Sequence, residues 1–241
     1  MLKIQAIIFD LYGTLIDVST NEDKNEVFDF LSLYLQYYDI YLDSGRLRRI
    51  FESERAQNLA SRHERFPEVN IQEVFEEILK REGSTNSFLV KSCCKLYRIM
   101  SRERFQLYPD TIPVMNEMRS SGFPMGLVSN AQKVFTANEI RILGLQQYFK
   151  HMVFSTRYGI TKPDPRLFMI VCAMLEVAPE NSVYIGDNPA NDVRGAKKIG
   201  MTSILLSREL KSVIPGAEPD YYATDLWDAW EWIKRNNNSI G

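Results

Sequence analysis

The chain has 241 residues, 29 of them basic and 31 acidic, for a formal charge of −2. That length suits one large α/β domain, or a core carrying an insertion. The near balance of charge excludes bulk attraction to nucleic acid or to an anionic membrane. No apolar run reaches the roughly 18 residues that cross a bilayer. The first residues, MLKIQAIIFD, lack the small-residue cleavage site of a secretion signal, so a cytoplasmic protein is expected. The cysteines, Cys93, Cys94 and Cys172, are an odd set without metal-ligand spacing. They read as free packed thiols and not as a disulfide framework or a zinc site. The histidines, His63 and His151, stand near no serine or cysteine motif, which leaves a Ser-His-Asp triad without support.

In chain order, Ile4 to Phe9 reads as a buried strand that ends in Asp10, with Leu11, Tyr12, Gly13 and Thr14 following. A carboxylate so placed sits at the open end of a sheet, where α/β proteins bind ligands, and can act as a covalent nucleophile. Gly13 permits a tight turn, and the Thr14 hydroxyl can fix a carboxylate rotamer. Residues 17–107 show no strand pattern. Val27, Phe30, Leu31, Tyr34 and Leu35 follow helical spacing, as do Ile71, Val74, Phe75, Ile78 and Leu79, and Phe88 to Phe105 continues as helix. This is a helical insertion. It returns near Leu107–Asp110, where Pro109 blocks a continuing helix and Asp110 can cap the next. Hinges are expected at Asp17–Thr20 and Leu107–Asp110. The tyrosines Tyr34, Tyr37, Tyr38 and Tyr41 suit packing of the insertion, a pocket lining or a subunit contact.

From about residue 110 an alternating rhythm sets in. Gly122, Gly144 and Gly200 each follow a helical segment, and an apolar residue comes next, the signature of a helix C-terminus. Short apolar strands are expected at Met125–Val128, Met152–Phe154, Val183–Ile185 and Ser203–Leu206. Strands alternating with helices imply a parallel sheet covered on both faces. Trp227, Trp230 and Trp232 belong to a terminal helix closing on the core, and Asn236–Gly241 is expected to fray.

Three further loops sit where strands end. Ser129 and Asn130 follow the second strand, and a small hydroxyl with the next backbone amides can hold an anionic oxygen. In Gly159–Ile160–Thr161–Lys162–Pro163–Asp164–Pro165 the prolines stiffen the chain around Lys162, whose ammonium can neutralise an anion. In Gly186–Asp187–Asn188–Pro189–Ala190–Asn191–Asp192 two carboxylates are spaced for a hard divalent cation, and Asn188 can cap a helix starting at Pro189. Each segment also has a plainer explanation as a helix cap, a turn or a surface lysine.

Taken jointly, the order Asp10, Ser129, Lys162–Pro163, then Gly186–Asp187 with Asp192 five residues on resembles the haloacid dehalogenase superfamily of aspartate-nucleophile hydrolases. The resemblance implies an α/β fold: a Rossmann-like parallel sheet core at 1–16 and 108–241, with an inserted all-helical cap at 17–107 that opens and closes over the site. By that resemblance Asp10 attacks the substrate, Thr14 and Ser129 orient the nucleophile and the substrate anion with help from the backbone near Asn130, and Lys162 stabilises charge. Asp10, the main-chain carbonyl of Tyr12, Asp187 and Asp192 would hold Mg²⁺, with Asp192 as a ligand or just behind the ligands.

Tyr12 departs from the phosphatase pattern, which places a second aspartate there as general acid; tyrosine is similar to the 2-haloacid dehalogenases. Asp187 and Asp192 pull the other way, because three carboxylates at one site call for a cation and Lys162 offsets only one. The expected activity is a Mg²⁺-dependent phosphatase of a small phosphorylated metabolite. The alternatives are a 2-haloacid dehalogenase, for which no halide cradle is identifiable among Arg46, Arg48, Arg49, Arg55, Arg62 and Arg65, and a low-turnover binding or regulatory protein. The partner is a small molecule, without nucleic acid or membrane; monomer and homodimer both stay open.

Overall fold

The computed structural model describes residues 3–208 and 217–237. Its main sheet, six-stranded among the described residues, runs in the order β5-β4-β1-β6-β7-β8. The strands are β1 (Ala6–Phe9), β4 (Met125–Ser129), β5 (Phe149–Phe154), β6 (Ser182–Gly186), β7 (Thr202–Leu206) and β8 (Tyr221–Ala223). Every neighbouring pair is parallel, with Ile7 opposite Met125 on one side and Val183 on the other. The chain order turns back at β1, so Asp10 leaves the sheet at the switch point where such sheets bind ligands.

Period-two alternation decides what each face carries. Ile7 and Phe9 pack with Leu127, Ile185 and Ile204 under helices α5 (Thr111–Ser120), α6 (Lys133–Ile142) and α9 (Leu226–Asn236). Ala6 and Ile8 join Val128, Val153 and Tyr184 on the other face, under α7 (Pro165–Leu175) and α8 (Arg194–Lys197). The glycine-ended helices are as expected: Gly122 has φ +83°, and Phe123 N–H reaches back to the Met118 carbonyl.

The inserted helices are α1 (Asn25–Gln36), α2 (Ser44–Ala60), α3 (Ile71–Arg81) and α4 (Ser87–Ser101). They bury a separate apolar core, with Leu31, Phe51, Phe75, Cys93 and Tyr97 at its centre. Val134 at the start of α6 packs against that core, so the bundle is seated on the sheet domain. All three cysteines are buried and unpaired. Tyr37 and Tyr41 face solvent, and Tyr34 and Tyr38 are half-buried.

Several expectations need correction. The reading of 17–107 as strandless fails at its ends, where β2 (Ile16–Thr20) pairs antiparallel with β3 (Arg102–Leu107). The helix expected to reach Phe105 stops at Ser101. Residues Arg102 to Leu107 are apolar only at Phe105 and Leu107, too few positions for a period of two to show, and pairing with a segment more than 80 residues away overrides local propensity. The segments expected to act as hinges therefore form or adjoin that ribbon. Asp110 stands at the N-terminus of α5 but makes no side-chain cap there. Its carboxylate takes bonds from Arg208 Nη2 at 2.8 and 2.9 Å and from Leu226 N–H at 2.8 Å, which ties α5 to α9.

Fraying was expected from Asn236 onward. Asn236 closes α9, and the Asn237 side chain accepts from Ile4 N–H and donates to the Ile4 carbonyl, both at 3.0 Å; residues 238–241 lie outside the described residues. Asn237→Ala would strand both groups of Ile4 in a buried setting. It is expected to cost about 1–3 kcal/mol, read as a lower urea midpoint at unchanged slope.

Candidate active site

Four strand ends deliver the site. Asp10 follows β1 and is nearly buried; Ser129 ends β4; Lys162 lies in the loop before α7; Asp187 and Asp192 follow β6. Together with Tyr12, Asn130, Asn188 and Asn191 they line one cavity of about 190 Å³. Every residue expected at the site except Thr14 lines this cavity, although Asp10 and Asp192 are 182 residues apart in the chain.

Lys162 is the hub. Its Nζ donates to Asp10 Oδ1 and to Asp192 Oδ1, each at 2.6 Å, and to the Tyr184 hydroxyl at 3.0 Å. Burial alone would lower this ammonium's pKa, but the two carboxylates outweigh burial and hold it above its ordinary value. The ammonium is aimed by its backbone. Asn130 Oδ1 accepts from Lys162 N–H at 2.7 Å, and Asn130 Nδ2 donates to the Lys162 carbonyl at 3.3 Å. The backbone near Asn130 was expected to help hold the substrate anion; the Asn130 side chain, in addition, clamps Lys162.

Asp10 is pushed up to about 7. Burial is the main cause and the neighbouring Asp192 and Asp187 charges add to it, against the lowering effect of Lys162. One carboxylate oxygen from each of Asp10, Asp187 and Asp192 lies within 4.8 Å of the others. Three acids and one ammonium leave a net negative, largely water-poor site. An oxygen-rich set of this kind fits a hard divalent cation such as Mg²⁺. Asp192 is engaged at both oxygens: Oδ1 faces Lys162, and Oδ2 accepts from Asn188 N–H at 2.9 Å.

Backbone geometry allows this crowding. Asn188 caps the turn at Pro189–Val193, as expected, by accepting from Asn191 N–H at 3.1 Å. Gly13 has φ +83°, and a Cβ there would come within 2.6 Å of Asp187 Oδ2. Thr14 was expected to hold Asp10. Its hydroxyl donates instead to Asp187 Oδ1, at 3.4 Å. Gly13→Ala combines positive-φ strain with that clash. It is expected to destabilise the fold by about 1–3 kcal/mol, measurable by urea unfolding without any substrate.

The Tyr12 phenol does not serve the cavity. Its hydroxyl donates to Glu139 Oε2 and lies 2.9 Å from Thr136 Oγ1, both on α6. Burial, then the Glu139 charge, hold it far above the usual phenol range, so it is no proton donor or base near neutrality. Tyr184 escaped the sequence reading. Its hydroxyl accepts from Lys162 and donates to the Val128 carbonyl at 2.9 Å, with Asp192 Oδ1 at 3.3 Å. The available signal was a lone phenol inside an apolar strand, two residues before Gly186. Among the described lining residues no arginine faces Asp10, so Lys162 is the cavity's cation.

A family model for haloacid dehalogenase-like hydrolases matches residues 4–200. A phosphoserine phosphatase of Thermus thermophilus is 33% identical over 153 residues, which is 64% of this chain and 61% of that enzyme's length. A glyceraldehyde 3-phosphate phosphatase of Methanopyrus kandleri is 28% identical over 85% of this chain and 84% of its own. Among solved structures, a 2-haloacid dehalogenase from Pseudomonas syringae pv. Tomato superposes with a TM-score of 0.72 at 23% identity, covering 96% of this chain and 99% of that one. That likeness speaks to the fold.

Proposed function

The chain belongs to the haloacid dehalogenase-like hydrolases, and from that premise we propose that it is a Mg²⁺-dependent phosphatase of a small phosphorylated metabolite. The observation that carries this reading is the convergence of Asp10, Asp187 and Asp192 on one point with a single ammonium beside them. A site that displaces halide from carbon has no use for so much negative charge, and the described cavity offers no halide cradle beyond Lys162. The similarity to phosphatases of two three-carbon phosphates supports a substrate of that size. So does the cavity of about 190 Å³, below the roughly 300–1,000 Å³ of pockets for drug-sized ligands.

In this reading Asp10, the Tyr12 carbonyl, Asp187 and Asp192 hold the cation, with Asp192 acting chiefly through Lys162. Bound Mg²⁺ would supply charge neutralisation and polarise the phosphoryl oxygens. An Asp10 carboxylate oxygen attacks phosphorus, the bond to the leaving oxygen breaks, and the electron pair departs with that oxygen. Lys162 and Ser129 stabilise the phosphoryl oxygens. Water then adds to phosphorus, releasing a proton to solvent; the bond to Asp10 breaks, and inorganic phosphate leaves.

The Tyr12 position sets the substrate preference. No carboxylic acid stands two residues after Asp10, and the phenol is engaged with Glu139. A missing general acid typically costs about 10²–10⁴ in rate. Leaving groups that depart as stable anions, acyl and aryl phosphates, escape most of that cost, whereas simple alkyl esters do not.

Two outcomes check this. Turnover of p-nitrophenyl phosphate should vanish on thorough chelation, return with Mg²⁺, and fall by at least about 10³-fold in Asp10→Asn; halide release from 2-chloropropionate in chelator would instead favour the dehalogenase. Across a series of phosphate esters, kcat/KM should drop steeply as the leaving group's pKa rises, and a flat series would show that a proton donor had been missed.

A further inference from the structure

A second buried ionic cluster lies beside the site, and the chemistry above does not use it. Arg98 belongs to α4 of the inserted bundle, and Glu139 to α6 of the sheet domain. Arg98 Nε donates to Glu139 Oε1 at 2.7 Å, and Arg98 Nη2 donates to Oε2 at 3.1 Å, a two-pronged ion pair. Arg98 is 9% and Glu139 4% exposed. The second Glu139 oxygen also takes the Tyr12 hydroxyl, and the guanidinium lies 5.1 Å from the Tyr12 ring centre and 5.1 Å from that of Phe135.

Three parts of the chain therefore meet on one carboxylate: the bundle, the sheet domain and the turn that carries the nucleophile. Burying both charges is costly, and removing one partner leaves the other uncompensated. Lifting α4 off α6 would do just that to Glu139. The same movement would deprive Tyr12 of the cation over its ring and weaken the anchor of its hydroxyl. Tyr12 is two residues from Asp10 and directly precedes Gly13, whose φ of +83° already makes that turn demanding.

We propose that Arg98, Glu139 and Tyr12 form a latch in which docking of the helical bundle holds the Asp10 turn in its working conformation. Tyr12 is then a positioning residue acting through its phenol. Its presence two residues after the nucleophile replaces a proton donor with a sensor of bundle position. Arg98 and Glu139 position through Tyr12 and touch no substrate. Where the proposed phosphatase reading is also taken, the latch makes the Tyr12 carbonyl available to the cation only while the bundle is seated.

The test is hydrogen–deuterium exchange on the whole chain without metal, comparing wild type with Arg98→Met, Glu139→Gln and Tyr12→Phe. Amides of the Asp10–Leu15 turn should exchange about tenfold faster in the three variants, while α1 and α2 keep their protection. Arg81→Met, which breaks the Arg81–Glu54 pair inside the bundle, should leave the turn unchanged. Tyr12→Phe keeps the ring and loses only the hydroxyl, so it reports even if a charge variant fails to fold. In kcat/KM, the effects of Tyr12→Phe and Arg98→Met should be non-additive, the double variant losing less than the product of the single losses. Unchanged exchange in Tyr12→Phe, or equal acceleration in Arg81→Met, overturns the latch. Absence of Mg²⁺ binding by the wild type in calorimetry would overturn the phosphatase reading and leave the exchange result standing.

Discussion

The site depends on one ammonium placed where three carboxylates need it. Lys162 Nζ lies 2.6 Å from both Asp10 and Asp192. Without that charge, two buried anions would face each other in a low-dielectric pocket, and at least one would stay protonated. The surrounding structure serves to hold it there. Asn130 fixes the Lys162 backbone from β4, Tyr184 receives the ammonium from β6, and Asn188 N–H steadies the far oxygen of Asp192. The parallel sheet makes these contacts compatible, since it brings successive strand ends to one edge at a spacing of about 4.8 Å.

The inserted bundle is linked to that edge more firmly than a two-hinge lid would be. Its connections pair as a ribbon, β2 with β3. A further strap lies on the other side. Thr161 N–H donates to the Phe66 carbonyl at 2.8 Å, and Glu68 N–H to the Gly159 carbonyl at 3.0 Å. Gln132 adds bonds to Ile71 N–H and to the Val69 carbonyl. The bundle's 66–71 segment therefore touches the loop that carries Lys162 and the one that follows Ser129. Seating of the bundle and geometry of these loops are mechanically connected.

Tyr12 shows how one position can be read correctly for identity and incompletely for consequence. A phenol in place of a carboxylic acid points toward dehalogenase chemistry when only the residue type is considered. The phenol's partners, Thr136 and Glu139, are 124 and 127 residues away in sequence. Their engagement ties the phenol to α6.

Local chemistry sufficed for five strands of the sheet, the glycine-ended helices, the Asn188 cap and the four loops at strand ends, but left the short edge strand β8 unread. Periodicity, caps and turn residues act over a few neighbours and leave their mark in the chain. What tertiary structure decided are the contacts between segments that no local pattern relates. The β2–β3 pairing, the move of Thr14 toward Asp187, the Asn130 clamp and the Arg98–Glu139–Tyr12 cluster all arise from where the folded chain brings distant groups. Each is a hydrogen bond or ion pair whose partner is fixed by packing and not by sequence spacing, and for that reason none of these pairings is legible in the chain.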